Sequence, residues 1–169
     1  MKTKIYLAGG CFWCIEADLA KFDPSLNMLP GYMGGTVENP SYKEVCVGLT
    51  GHYEVVRVTT DASFEPIIDA YWRMIDPFDP SGQLHDRGLQ YRTAIFYTTE
   101  AQKEYATAAK QQIQANSNQM VHTLILPAKK FYPAEVFHQK YYQKNSVRYE
   151  AYSKASQRHE KLAKIWDNK

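Results

Sequence analysis

The segment GGCFWCIEADLAKF, starting at Gly9, sets two cysteines three residues apart, Cys11 and Cys14, with two aromatics between them. Three chemistries use such a pair: a redox dithiol, half of a metal site, or a single nucleophile with a second thiol beside it. Cys11 stands where a short strand and a Gly-Gly turn feed a helix. The first turn of a helix carries unpaired N–H groups and a partial positive charge, so the position predicts a lowered Cys11 pKa and a nucleophile. The glycines let backbone approach a bound group without a Cβ in the way. Phe12 falls on the apolar face of the coming helix, whereas Trp13 lies off it and is free to line a pocket over the nucleophile.

Other residues could join this chemistry. In HYEVVRVTT, Glu54 is in phase with Val56 and Val58, on the apolar side of the alternation. A carboxyl facing the core loses solvation, its pKa rises, and it can stay protonated near neutral pH as a proton donor. On spacing alone the other reading is equally open, with Glu54 at the strand start and its carboxyl in water. Asp86, Arg87, Gln90 and Tyr91 belong to or follow DPFDPSGQLHDRGLQ, a stretch without periodicity, of the length that is functional or disordered in a compact domain. An isolated loop Asp is ordinarily a turn former, while Tyr42 and Tyr91 could present hydroxyls to a pocket. His52 and His138 read as surface or capping residues.

The elements that must position these groups follow from pattern. Lys4–Ala8 is expected as a strand. Phe12, Ile15, Leu19 and Phe22 mark one face of a helix that Asp23-Pro24 stops. A second strand around Met28–Met33 is weakened by Pro30, which suits an edge or irregular strand. Ser41 followed by Glu44 is a capping box for a short helix through Val47. After HYEVVRVTT, a helix starting near Ser63 aligns Phe64, Ile67, Ile68, Tyr71, Trp72 and Ile75. Tyr91–Tyr97 reads as a strand, Thr99 caps a long helix to about Ala115, and Val121–Leu126 as a strand. The region from about 133 to 169 is expected to be helical, with a solvated surface rich in Tyr and Lys. Irregular alternation of strands and helices predicts an α+β fold with a mixed β-sheet flanked by helices, in one domain over 1–169.

Bulk properties narrow the classes. The 169 residues are 44% hydrophobic and 22% charged, with a formal net charge of +2, which gives no reason to expect nucleic acid or a membrane as partner. Two lysines and a short apolar piece at the N-terminus are too brief for a signal peptide, so the chain is read as mature and cytoplasmic. Three cysteines make no disulfide scaffold. Aromatics reach 14%, with 13 tyrosines, most of which are expected to pack with a wet hydroxyl.

Taken in order, GGCFWC, GYMGG, NPSYKEVCVGLTGHYEVVRV, DRGLQYRTAIFY and AEVFHQKYY resemble the peptide methionine sulfoxide reductase A family, over Gly9 to Tyr142. The resemblance implies a ferredoxin-like-related α/β sandwich and reduction of the S epimer of methionine sulfoxide, free or in proteins. Cys11 would be the nucleophile, and Phe12 and Trp13 the apolar pocket for the substrate methyl. Glu54 would protonate the sulfoxide oxygen, Tyr42 and Tyr91 would hydrogen-bond it, and Asp86 would orient water and polar groups. It further implies no bound cofactor or metal, recycling of a Cys11 sulfenic acid through a disulfide, and thioredoxin as external reductant. The oligomeric state is left open by the sequence, with a monomer as the default.

Here the chain departs from many members, which carry resolving cysteines in a Gly-rich tail. This tail is the helical RYEAYSKASQRHEKLAKIW, and no cysteine follows Cys46. Cys14 replaces the Gly that many members have after CFW, and three residues along a helix start it can reach Cys11 with modest distortion. Cys14 is therefore taken as the resolving cysteine, against a one-cysteine cycle with an external thiol, and Cys46 as a buried spectator. Tyr53 stands where a small residue is usual and should point away from Glu54. Two rivals remain: a thioredoxin-like CxxC disulfide oxidoreductase, in which Glu54 is incidental, and a zinc module of Cys11, Cys14, Cys46 and His52.

Overall fold

A computed structural model describes residues 2–167 of the chain. In chain order it contains β1 (Thr3–Gly9), α1 (Phe12–Phe22), β2 (Asn27–Met33), α2 (Tyr42–Val47), β3 (Tyr53–Thr60) and α3 (Glu65–Trp72). There follow β4 (Gly82–Gln83), β5 (Asp86–Arg87), β6 (Thr93–Tyr97), α4 (Glu100–Ala115), β7 (Leu124–Pro127) and β8 (Tyr132–Pro133). The chain closes with α5 (Tyr141–Lys144), α6 (Ser146–Ser156) and α7 (Arg158–Asp167).

Cross-strand pairing follows the apolar alternation: Ile5 and Leu7 of β1 sit opposite Val58 and Val56 of β3. The sheet order is β7-β6-β1-β3-β2-β8, antiparallel except for β6 and β7. Its middle, β6-β1-β3-β2 with α1 and α3 as crossovers, is the ferredoxin-like βαββαβ unit. One face buries Leu7, Val56, Ile95 and the apolar stripes of α1 and α3. The other buries Tyr6, Met33, Tyr53 and Phe96 under the segment holding Phe131. Tyr53 thus faces away from Glu54, with its ring edge-on to Phe96 at 5.2 Å. Among the described residues no helix is long and apolar enough to cross a membrane.

Several expectations shift. Pro30 lies in a penultimate strand, covered only by the two-residue β8, and its carbonyl accepts from Ala134 N–H. The β6 ladder begins at Thr93, because Leu89–Tyr91 form a 3-10 turn. Residues 121–123 are not in β7: the His122 N–H donates to Pro77 O, and the Thr93 and Thr123 hydroxyls pair at 2.8 Å. The C-terminal region opens on β8 and a 3-10 turn at Val136–His138, so its helices start at Tyr141. Phe22 is exposed, since α1 ends there, and Cys46 is exposed on α2 rather than buried.

Glu16 ties α1 to the C-terminal region. It is 1% exposed, its Oε1 accepts the Lys140 N–H at 2.7 Å, and Oε2 has no hydrogen-bond partner among the described residues. Burial lifts its pKa to about 7, against the Lys140 N–H and the charges of Lys140 and Lys144. A raised carboxyl pKa gives stability that is full below the unfolded value and lost as pH rises through the folded one. Wild type should therefore lose roughly 3 kcal/mol between about pH 4.5 and 7 that Glu16→Gln does not lose. Thermal unfolding against pH measures this; parallel curves would clear Glu16.

Candidate active site

The turn before α1 is shaped by glycine. Gly10 has φ +90°, and a Cβ there would meet Gln83 Cβ at 2.7 Å, so no other residue fits easily between β1 and the β4–β5 hairpin. Gln83 is itself buried and fixed by accepting from Asp76 N–H and donating to the Asp76 and Gly82 carbonyls. The turn delivers Cys11 as the N-cap of α1 in extended backbone, 8% exposed.

Glu54 supplies the cap that Cys11 does not. It lies on β3 opposite Tyr32 and is 1% exposed. Its Oε1 accepts the Phe12 N–H at 3.1 Å, while Oε2 is buried with no partner among the described residues. Burial holds its pKa well above the carboxylate range, outweighing the Phe12 N–H, and the Asp86 charge adds to the rise. The inward reading of Glu54 is the one the fold adopts.

The lowered Cys11 pKa expected from the helix start is reversed. Burial pushes the Cys11 thiol well up, and its hydrogen bond to Cys14 and the carboxyls of Glu54 and Asp86 act the same way. The α1 N–H that would have faced a thiolate is taken by Glu54. Cys14, 1% exposed one turn on, is instead lowered, chiefly by the hydrogen bond from Cys11.

Tyr42, Tyr91 and Asp86 converge on this corner. Tyr91 is raised by burial first and then by Glu54, Tyr42, Cys11 and Asp86, which all lie within electrostatic reach of its hydroxyl. Tyr42 opens the capped helix α2, where its N–H donates to Glu135 Oε2 at 3.1 Å; the other Glu135 oxygen accepts from the Tyr32 hydroxyl at 3.0 Å. Asp86, on the hairpin within the long loop, is raised by burial and accepts from the Tyr152 hydroxyl.

Phe12 is buried, with its ring centroid 5.8 Å from Tyr32 and 5.1 Å from His138. Trp13 is half-buried but not free: it stacks on Tyr141 at 3.8 Å, and its Nε1–H donates to His138 Nδ1 at 3.0 Å. His138 is therefore an interior residue that orients Trp13 and packs on Tyr42 at 4.4 Å, not a surface group. His52 is interior too, accepting at Nδ1 from Gly35 N–H, with Nε2 2.7 Å from Val37 O. With both its nitrogens used and Cys46 exposed, the fourfold zinc grouping does not assemble. The tyrosines of the C-terminal helices are not all wet either: Tyr149 packs on Cys11, Cys14 and Ala17. Glu135, Tyr149, Tyr152 and Arg158 do not stand out in the sequence, where His138 reads as a surface or capping residue; only His138 and Glu135 carry a signal, lying within AEVFHQKYY.

The chain is similar to known proteins in sequence and fold. The family model described as peptide methionine sulfoxide reductase matches residues 3–169. The peptide methionine sulfoxide reductase MsrA of Halalkalibacterium halodurans is 45% identical over 164 residues, covering 94% of this chain and 93% of that one. MsrA 2 of Staphylococcus aureus strain MW2 is 44% identical over 173 residues and covers 98% of each. Among solved structures, reduced Mxr1 from Saccharomyces cerevisiae superposes with a TM-score of 0.81 at 31% identity, covering 86% of both chains.

Proposed function

The chain belongs to the peptide methionine sulfoxide reductase family, and we propose that Cys11 is the nucleophile with which it reduces the S epimer of methionine sulfoxide, free or in proteins. The observation that carries this reading is Glu54: a buried carboxyl with one oxygen on the Cys11 helix and the other unpaired among the described residues. A protonated acid beside a thiol is what sulfoxide reduction needs, since the oxygen must gain a proton as sulfur attacks sulfur. Tyr42 and Tyr91 donate hydrogen bonds to that oxygen, and raised hydroxyl pKa values keep their protons in place. Phe12 and the pinned Trp13 ring offer the apolar wall for the substrate methyl, and Asp86 orients the polar rim. In the net step the Cys11 thiol takes the sulfoxide oxygen, giving a Cys11 sulfenic acid and free sulfide.

Cys14 then attacks the Cys11 sulfur. The S–S bond forms, the S–O bond breaks, and hydroxide leaves as water with the proton that Cys14 released. An external dithiol reduces the disulfide, and thioredoxin in the cytosol is the proposed source. The whole chain acts as one catalytic domain, as a monomer, with no bound cofactor or metal. The disulfide oxidoreductase alternative gives Glu54 no part, yet Glu54 is the group that caps the Cys11 helix.

Reduced protein mixed with excess S-sulfoxide and no reductant should yield about one sulfide per chain, with the protein mass falling by two hydrogens. A peptide map should find Cys11 joined to Cys14. No sulfide would end the reductase reading; sulfide with a retained oxygen would keep Cys11 and remove Cys14.

A further inference from the structure

We infer that the C-terminal helices take part in the reaction: Tyr149 of α6 and Arg158 of α7 hold Cys14 ready to attack the Cys11 sulfenic acid. This deepens the resolving role proposed for Cys14 and rests on it. Cys14 is 1% exposed, so a thiolate there is costly unless donors surround it. α6 brings Tyr149, 7% exposed, into the cluster of Cys11, Cys14 and Ala17, where its hydroxyl favours the Cys14 thiolate. At the α6–α7 break, Gln157 takes the left-handed conformation and Arg158 turns inward to 2% exposure.

Arg158 is held from two sides. Its Nε and Nη2 donate to Asp18 Oδ2 at 3.1 and 2.8 Å, and Nη2 also donates to Met74 O at 2.6 Å. Asp18 lies one helical turn after Cys14 on α1, so the guanidinium is anchored beside the thiol. The titratable groups facing Cys14 are Cys11, Asp18, Glu54, Tyr149, Tyr152 and Arg158. Asp18 is paired with Arg158, and burial raises Glu54 toward its protonated form. What remains around the sulfur is donors and a cation. Cys14 accordingly sits below the usual thiol range: the Cys11 hydrogen bond outweighs burial, and Arg158 and Tyr149 add to it. In the resolving step, with the Cys11 thiol converted to a sulfenic acid, Tyr149 and Arg158 are the groups left to favour the Cys14 thiolate that forms the S–S bond, while the Cys11 oxygen leaves as water.

The test uses the full chain and two readouts from one single-turnover reaction: sulfide release, which reports Cys11, and disulfide formation, which reports Cys14. Tyr149→Phe removes only the hydroxyl and should leave sulfide release unchanged. It should slow disulfide formation at neutral pH about tenfold and move its midpoint to higher pH. Arg158→Met should do the same, and Arg158→Lys should restore most of the rate; if Arg158→Met fails to fold, Tyr149→Phe decides. A wild-type disulfide rate and pH profile in Tyr149→Phe would overturn the inference while leaving Cys14 as resolver. Wild-type protein that stops at the sulfenic acid would overturn both.

Discussion

Glu54→Gln should bind sulfoxide and fold normally, yet release sulfide about a thousandfold more slowly than wild type in a single turnover. The side chain sits 1% exposed on β3 and spends one oxygen on the Phe12 N–H, a bond that the amide oxygen of glutamine can keep. The Cys11 helix therefore retains its cap, and circular dichroism and the unfolding midpoint should stay close to wild type. What the amide cannot do is give up a proton. The sulfoxide oxygen would then leave its sulfur with only hydrogen bonds from Tyr42 and Tyr91 to stabilise it. The pH profile gives a second handle. Burial raises Glu54, so the donor is present below that raised pKa and lost above it. The wild-type rate should fall along this alkaline limb, and Glu54→Gln should lack it. A variant with near wild-type single-turnover rate would end the proton-donor assignment, whatever its effect on steady-state turnover.

The parts legible in the sequence are those that short-range pattern controls. Period-two alternation put Glu54 in phase with Val56 and Val58, and the strand does turn it inward. The Gly-Gly turn and the apolar positions after it located the start of α1 at Phe12. The capping box at Ser41 and Glu44 forms as read. Each of these depends on neighbours a few residues apart.

What failed depends on groups far apart in the chain. The rise of the Cys11 thiol is not legible locally, because it comes first from burial by elements remote in the chain, and the first α1 N–H is taken by Glu54, 42 residues on. Trp13 reads as free in the sequence because its clamp, His138, is 125 residues away. α6 reads as a solvated helix because its inward face is not an apolar stripe. Its buried residues are Tyr149, Ser153 and Ser156, and a helix that buries hydroxyls leaves no hydrophobic period to detect. Residues 121–123 misled in the opposite way: Val121 and Thr123 are buried like strand residues, but their bonds run to loops and side chains instead of a ladder.

Cys14→Ser should separate chemistry from recycling. The first sulfide, one per chain, should appear at close to the wild-type rate, because the thiol, acid and hydroxyls proposed to act on the sulfoxide are all retained. Turnover driven by thioredoxin should then fall at least about a hundredfold, since an internal thiol beside the sulfenic acid has a large effective concentration that an outside thiol lacks. The variant should accumulate as the sulfenic acid, seen as one added oxygen in the intact mass and trapped by a dimedone-type reagent. Full thioredoxin-driven turnover in Cys14→Ser would mean that the external thiol attacks Cys11 directly. The lowered Cys14 thiol would then serve only to hold the Cys11 proton in the resting enzyme.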